Sequence, residues 1–147
     1  MCITNRDFYN AKAKTYSIDD NEAIFRFKKA AEFTPLLKDD VVLDIGCKFG
    51  ILRDDIKRHQ KQIIYHGIDI SKEVIKRIKN IGDDHFYVAD ITHGLPFNDK
   101  VFDVVFMLEV LEHVENPSLC LREIRRVLKP QGQLILSVPN PYCWEEI

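Results

Sequence analysis

Two hydrophobic rhythms alternate along this chain. Val41-Val42-Leu43 is a continuous apolar run that ends in Asp44-Ile45-Gly46. Runs of this kind are strands covered on both faces. Four more follow: 62–68 closed by Asp69, 86–89 closed by Asp90, then 101–108 and 133–138. Between them, apolar residues recur at helical spacing. Ala23, Ile24, Phe27, Ala30 and Ala31 predict a helix from about 20 to 33, with Ser17 or Asp19 as N-cap and Pro35 at its end. Residues 50–59 read as a short helix. Ser71 caps a helix whose apolar face is Val74, Ile75, Ile78 and Ile81. Asn116-Pro117 opens another, with Leu121, Ile124, Val127 and Leu128 as its apolar face. Gly82-Asp83-Asp84 reads as a turn, 92–100 as a loop and 109–114 as a short helical turn. Pro130-Gln131-Gly132 reads as the stop between the last helix and the last strand, and Pro139-Asn140-Pro141 breaks that strand. Residues 1–16 are polar and aromatic, anchored by Phe8, Tyr9 and Tyr16.

Strand and helix alternate, so the expected fold class is α/β. Right-handed crossovers make it a doubly wound, largely parallel five-stranded sheet with helices on both faces. At 147 residues a single domain is expected, comprising a helical segment over 1–34, a core over 41–138 and a tail over 139–147. The 46% apolar content and nine Phe residues suffice for a packed core, which sets the chain apart from disordered ones. A net charge of −2 does not mark a nucleic-acid binder, and Arg122, Arg125, Arg126 and Lys129 read as one exposed helix face. Cys2, Cys47, Cys120 and Cys143 form no CxxC pair, which points to reduced thiols. No apolar run is long enough to span a bilayer and the N-terminus lacks a signal-peptide core, so the expected location is cytoplasmic, without membrane contact.

The candidate chemistry lies at the strand ends. Three consecutive strands close on a carboxylate: Asp44, Asp69 and Asp90. In an open parallel sheet these line one C-terminal edge, where ligands bind. Gly46 and Gly50 frame a tight turn after the first strand, of the kind that lets backbone approach a nucleotide-like ligand. A nicotinamide-dependent oxidoreductase would share some of these features, but GxGxxG is missing and Asp90 would have no role there.

The successive segments VLDIGCKFG, YHGIDIS, FYVADI, FDVVFMLEVLEHV and LREIRRVLKPQGQLILSVPN resemble, in order, the motifs of class I S-adenosylmethionine-dependent methyltransferases. The resemblance is greatest to the group containing the ubiquinone-biosynthesis methyltransferases and covers about 41–140. It implies S-adenosylmethionine as cofactor, with S-adenosylhomocysteine as product, and a small-molecule methyl acceptor. It also implies roles. Gly46, Cys47 and Gly50 would form the cofactor turn. Asp44 would hold the ammonium, Asp69 both ribose hydroxyls and Asp90 the adenine amino group. Ile70 and Ile91 would sandwich the ring, or else pack as ordinary core. Glu109 would stand at the methionyl end, and Glu109 and His113 are the candidate catalytic bases.

The family usually has GxGxG, whereas this chain has Gly46-Cys47-Lys48-Phe49-Gly50. Lys48 either points outward or pairs with the cofactor carboxylate, leaving binding intact, or it enters the cofactor space and weakens binding. A cofactor-binding module with little catalysis is therefore an alternative. On a helix, Glu109, Glu112 and His113 would share a face. This ExxEH pattern also resembles the metal site of small-RNA 3′-terminal methyltransferases, a second alternative. That family has a further His after the fifth strand; residues 138–147 contain none, and no metal site is expected. Family members continue past the fifth strand with a helix and an antiparallel strand pair. This chain stops nine residues after Val138, so the fifth strand is expected at an edge, where it could pair a homodimer.

Overall fold

A computed structural model describes residues 4–15, 21–60, 62–78 and 84–140. The strands are β1 Val41–Ile45, β2 Ile64–Asp69, β3 His85–Val88, β4 Phe102–Leu108 and β5 Leu128–Ser137. The helices are α1 Asn5–Lys12, α2 Asn21–Phe33, α3 Ile51–His59, α4 Lys72–Ile78 and α5 Pro117–Val127. The five strands form one sheet in the order β3-β2-β1-β4-β5, and every pair is parallel. This is the expected doubly wound α/β sandwich. The proposed N-caps Ser17 and Asp19, Ile81, most of the turn at 82–84 and the tail beyond 140 lie outside the described residues.

Strand alternation builds two apolar layers. Val42, Tyr65, Val104 and Phe106 face α2 and α3, where Phe27, Ala31, Leu52 and Ile56 meet them. Leu43, Ile45, Ile68, Val105 and Met107 face the other way, against Cys120, Ile124 and Val127 of α5. Each fully buried aliphatic side chain contributes roughly 1.5–3 kcal/mol. β1 lies between β2 and β4, with Leu43 opposite both His66 and Val105. The strand order therefore reverses at β1, and the crevice at its C-terminal end is the expected ligand position. On the α3 side, Asp84 accepts from the buried Arg53 at 3.4 Å and also pairs with Lys57, which ties the start of β3 to that helix.

One element is added and three local expectations are corrected. Within the segment expected to be helical, the stretch before residue 16 forms a helix, α1, which Thr4 caps by accepting from the Asp7 N–H at 3.2 Å. Its residues lack an apolar stripe and none is buried, so periodicity carried no signal. On α5 the inward stripe is Cys120, Ile124 and Val127, while Leu121 is exposed; Cys120 satisfies the i, i+4, i+7 spacing that Leu121 does not. Pro130-Gln131-Gly132 does not separate α5 from the last strand. β5 starts at Leu128, opposite Phe102, and regular pairing resumes at Gln133 opposite Val104. Residues 129–132 thus bulge across from Asp103 alone, with Gln131 at φ 69°. Finally, 109–114 is not one helical turn: only Leu111–His113 forms a 3-10 turn.

Candidate functional site

A cavity of about 490 Å³ opens at the C-terminal edge of the sheet, within the range of small-molecule sites. Seven of the ten residues singled out from the sequence line it: Gly46, Asp69, Ile70, Asp90, Ile91, Glu109 and His113. They come from four separate strand ends, which the parallel sheet brings to one side.

Gly46 follows β1 at φ 78°. Its N–H donates to the Ile68 carbonyl at 2.8 Å, and a Cβ there would lie 2.4 Å from Val110 Cγ2. Glycine is thus required by backbone conformation and by the close approach of the β4 exit segment. Lys48, two residues on, also occupies the left-handed region at φ 44°. Its N–H donates to Asp69 Oδ2 at 3.2 Å, and its ammonium lies 5.7 Å from the centre of the Phe27 ring. Lys48 thus takes up the positive φ that favours glycine, at a backbone cost of about 1 kcal/mol. The Lys48 stem lines the cavity, while its charge lies toward α2.

Asp69 is held from both sides. Oδ1 accepts from the Ser71 N–H at 2.8 Å and Oδ2 from Lys48. Burial pushes its carboxyl above the usual range despite these two bonds. A carboxylate has about four lone-pair positions, so two backbone donors leave capacity for a pair of ligand hydroxyls. Asp90 stands just past β3 and caps the 3-10 turn Ile91–His93. Its Oδ1 accepts from the Thr92 N–H at 3.0 Å and the Thr92 hydroxyl at 2.6 Å. Partial burial pushes its carboxyl up, but these bonds and the nearby His93 outweigh it and leave it lowered. Ile91 is buried beside it, and Ile70 is partly buried on the β2 side.

At the other end of the cavity, Glu109 occupies φ 56°. Its N–H donates to the Ser137 carbonyl at 3.1 Å, and Oε1 accepts from the Ser137 hydroxyl at 2.7 Å. A non-glycine held in this region beside a cavity marks a position the surrounding structure enforces. Glu112 and His113 follow on the 3-10 turn, with Glu112 Oε1 3.7 Å from His113 Nε2. Glu109 lies before that turn, so the three do not share a helix face, although all three line the cavity. Among the described residues, no group of three or more His, Cys, Asp and Glu side chains is arranged to hold a metal ion.

Asp44, Cys47 and Gly50 are not part of the lining. Alternation turns Asp44 to the α2–α3 face, where it is buried and accepts from the Tyr65 hydroxyl at 2.5 Å. Burial raises its carboxyl to about 7, and the Tyr65 bond only partly opposes this. Cys47 packs with Ala13, Val74, Ile75 and Ile78, and burial pushes its thiol up. Gly50 precedes α3 at φ 75°, donating to the Cys47 carbonyl at 2.9 Å.

The structure adds residues that sequence reasoning missed. Asn5, Tyr9 and Lys12 of α1 share one helical face and cover the cavity. The Tyr9 ring meets His113 edge-on, with centroids 5.9 Å apart. Burial raises its phenol, and the charges of Glu112 and Asp69 add to this. Asn10 Oδ1 accepts from the Ser71 hydroxyl at 3.0 Å, and the Ala13 carbonyl from Arg77 at 2.9 Å; together these fasten α1 to α4. The 5, 9, 12 spacing was present in the sequence, but without apolar residues to mark it.

A cavity at the switch point of a parallel sheet, with a glycine turn after β1 and acids after β2 and β3, defines a doubly wound protein built to bind a nucleoside-like cofactor. Comparison with known proteins narrows the class. A family model described as a methyltransferase domain matches residues 43–136, and the chain belongs to that family, the class I S-adenosylmethionine-dependent methyltransferases. An uncharacterized protein of Methanocaldococcus jannaschii, MJ0638, is 45% identical over 103 residues, covering 70% of this chain and 42% of that protein. The mitochondrial ubiquinone biosynthesis O-methyltransferase of Candida albicans is 36% identical over 106 residues, covering 67% of this chain and 32% of its own length. The chain thus spans less than half the length of these relatives. A chain from the solved complex between the Haloferax volcanii Trm112 methyltransferase activator and a methyltransferase superposes with a TM-score of 0.79 at 26% identity. That match covers 94% of this chain and 62% of the other.

Proposed function

We propose that the protein transfers a methyl group from S-adenosylmethionine to a small-molecule acceptor. The observation that carries this reading is the gathering of Gly46, Asp69, Asp90, Glu109 and His113 around one cavity. The residues present fit the cofactor. Asp69 has acceptor capacity left for two ribose hydroxyls, Asp90 lines the cavity with Oδ1 held by Thr92 and Oδ2 3.3 Å from His93 Nδ1, and Ile70 and Ile91 offer apolar walls for a flat ring. Bound there, S-adenosylmethionine supplies a methyl group on a positively charged sulfur. The chain's own task is then alignment and proton removal. Glu109, fixed by Ser137, and His113, backed by Glu112, stand at the acceptor end and are the groups to take the proton released by an attacking hydroxyl or amine. The names of the ubiquinone-biosynthesis relatives favour oxygen as the acceptor atom.

A cofactor-binding module with weak turnover is the second reading, and Lys48 in the left-handed turn is the feature that favours it. A methylation assay on cofactor-loaded protein separates the two. The cofactor itself is tested by thermal denaturation with S-adenosylhomocysteine. At about a hundred times its Kd the ligand should add about 2.7 kcal/mol of stability. Asp69→Ala should abolish that gain. Absence of any shift in the wild type overturns the assignment.

A further inference from the structure

The acceptor end of the cavity holds more negative charge than the nucleoside contacts use. Four carboxylates line the cavity: Asp69 and Asp90 at the ends of β2 and β3, and Glu109 and Glu112 at the exit of β4. Two lysines line it as well, but both carry their charge beside rings outside the lining. The Lys48 ammonium lies 5.7 Å from the centre of the Phe27 ring, and the Lys12 ammonium 5.6 Å from that of Phe8. Among the described residues no arginine reaches the lining. Glu109 is held by the Ser137 hydroxyl at 2.7 Å. The Glu112 carboxylate accepts no hydrogen bond from a described residue, and its Oε1 stands 3.7 Å from His113 Nε2, beyond hydrogen-bond distance. Its side chain is 24% exposed, which places it at the mouth. Tyr9 of α1 covers the same end, with its ring edge-on to His113. Burial and then the Glu112 charge raise its phenol, so the ring stays neutral beside that carboxylate.

We infer that the methyl acceptor is a small molecule carrying a protonated amine, which Glu112 and the Tyr9 ring hold at the cavity mouth. This rests on methyl transfer at this cavity, and specifies the acceptor that the cavity takes. A carboxylate supplies the counter-charge, and an aromatic ring attracts a cation within about 6 Å of its centre. Partial withdrawal from water makes both attractions stronger than on an open surface. An acceptor with a carboxylate of its own would meet Glu109 and Glu112, while both lining lysines keep their ammonium groups beside Phe8 and Phe27. The protonated amine is the handle and not the reacting group, because it has no lone pair with which to attack a methyl group. The attacking atom belongs to another group of the same molecule, such as a hydroxyl, whose proton Glu109 or His113 takes. Glu112 and Tyr9 therefore set which acceptors enter, and Glu109 and His113 act on the atom that reacts.

Titration calorimetry of the full chain loaded with S-adenosylhomocysteine tests this, using three phenols of nearly one shape: tyramine, tyrosol and para-hydroxyphenylacetate, which are cationic, neutral and anionic at neutral pH. Tyramine should bind about tenfold more tightly than para-hydroxyphenylacetate, with tyrosol between them. Glu112→Lys should reverse that order, a gain for the acid that a loss of folding cannot produce. Tyr9→Leu should weaken tyramine binding about fivefold and leave para-hydroxyphenylacetate unchanged. Loading is established first by thermal shift with S-adenosylhomocysteine. Absence of that shift overturns the methyltransferase reading itself, whereas loaded protein without a preference for tyramine overturns only the amine-bearing acceptor. Equal binding of the three phenols, tighter binding of the acid, binding of none at millimolar concentration, or an unchanged order in Glu112→Lys each has that second effect.

Discussion

Burial leaves the Asp44 carboxyl with the Tyr65 hydroxyl as its hydrogen-bond partner and raises its titration to about 7. In the unfolded chain it titrates near 3.8. Between those values the folded state carries the extra proton, so stability is greatest below the lower one and falls as pH rises through the window. At 1.36 kcal/mol per unit the full loss is on the order of 4 kcal/mol. Asp44→Asn keeps an oxygen for Tyr65 and removes the charge. Urea denaturation from pH 4 to 8 should show the variant gaining on the wild type by a few kcal/mol as pH rises; parallel curves would contradict this. The sequence marked Asp44 as an acid at a strand end. It could not say that pleat alternation turns this acid into the protein while Asp69, at the end of the next strand, lines the cavity. Residue-level strain was half legible. Lys48 falls where the glycine turn requires positive φ, so its φ of 44° follows from the motif. Glu109, at 56°, has no such marker; it is held there by Ser137, 28 residues away.

Among the elements, β5 departs most from its sequence pattern. Pro130-Gln131-Gly132 has the composition of a helix stop, yet it forms a bulge because Leu128 already pairs with Phe102. Gln131 occupies the left-handed region in that bulge and is not among the residues lining the cavity at the sheet's C-terminal edge. Gln131→Gly should therefore raise stability by up to about 1 kcal/mol in thermal denaturation, with binding of S-adenosylhomocysteine unchanged. A loss of stability would mean that the glutamine side chain contributes more than its backbone costs. α1 is the reverse case, a helix without an apolar stripe. Its position comes from Ser71, Arg77 and the buried Ala13, all contacts of long sequence separation.

At the scale of the whole molecule, the sheet has two edges among the described residues, β3 and β5. Leu136 is 41% exposed and Val138 52%, and β5 has no partner strand on its outer side among the described residues. Such an edge promotes pairing between chains, so sedimentation velocity should show self-association rising with concentration. A monomer at the highest soluble concentration would exclude it. The fold class, the order along the chain of the segments that bear the site, and seven of the residues that line the cavity were legible in the sequence alone, because hydrophobic period and glycine-turn chemistry are local properties. Tertiary structure alone decided which acids face the cavity, that α1 covers it, and that aromatic side chains of α2 lie outside. Each of these depends on the direction a side chain takes relative to elements distant in sequence, and that direction is set only when the layers pack.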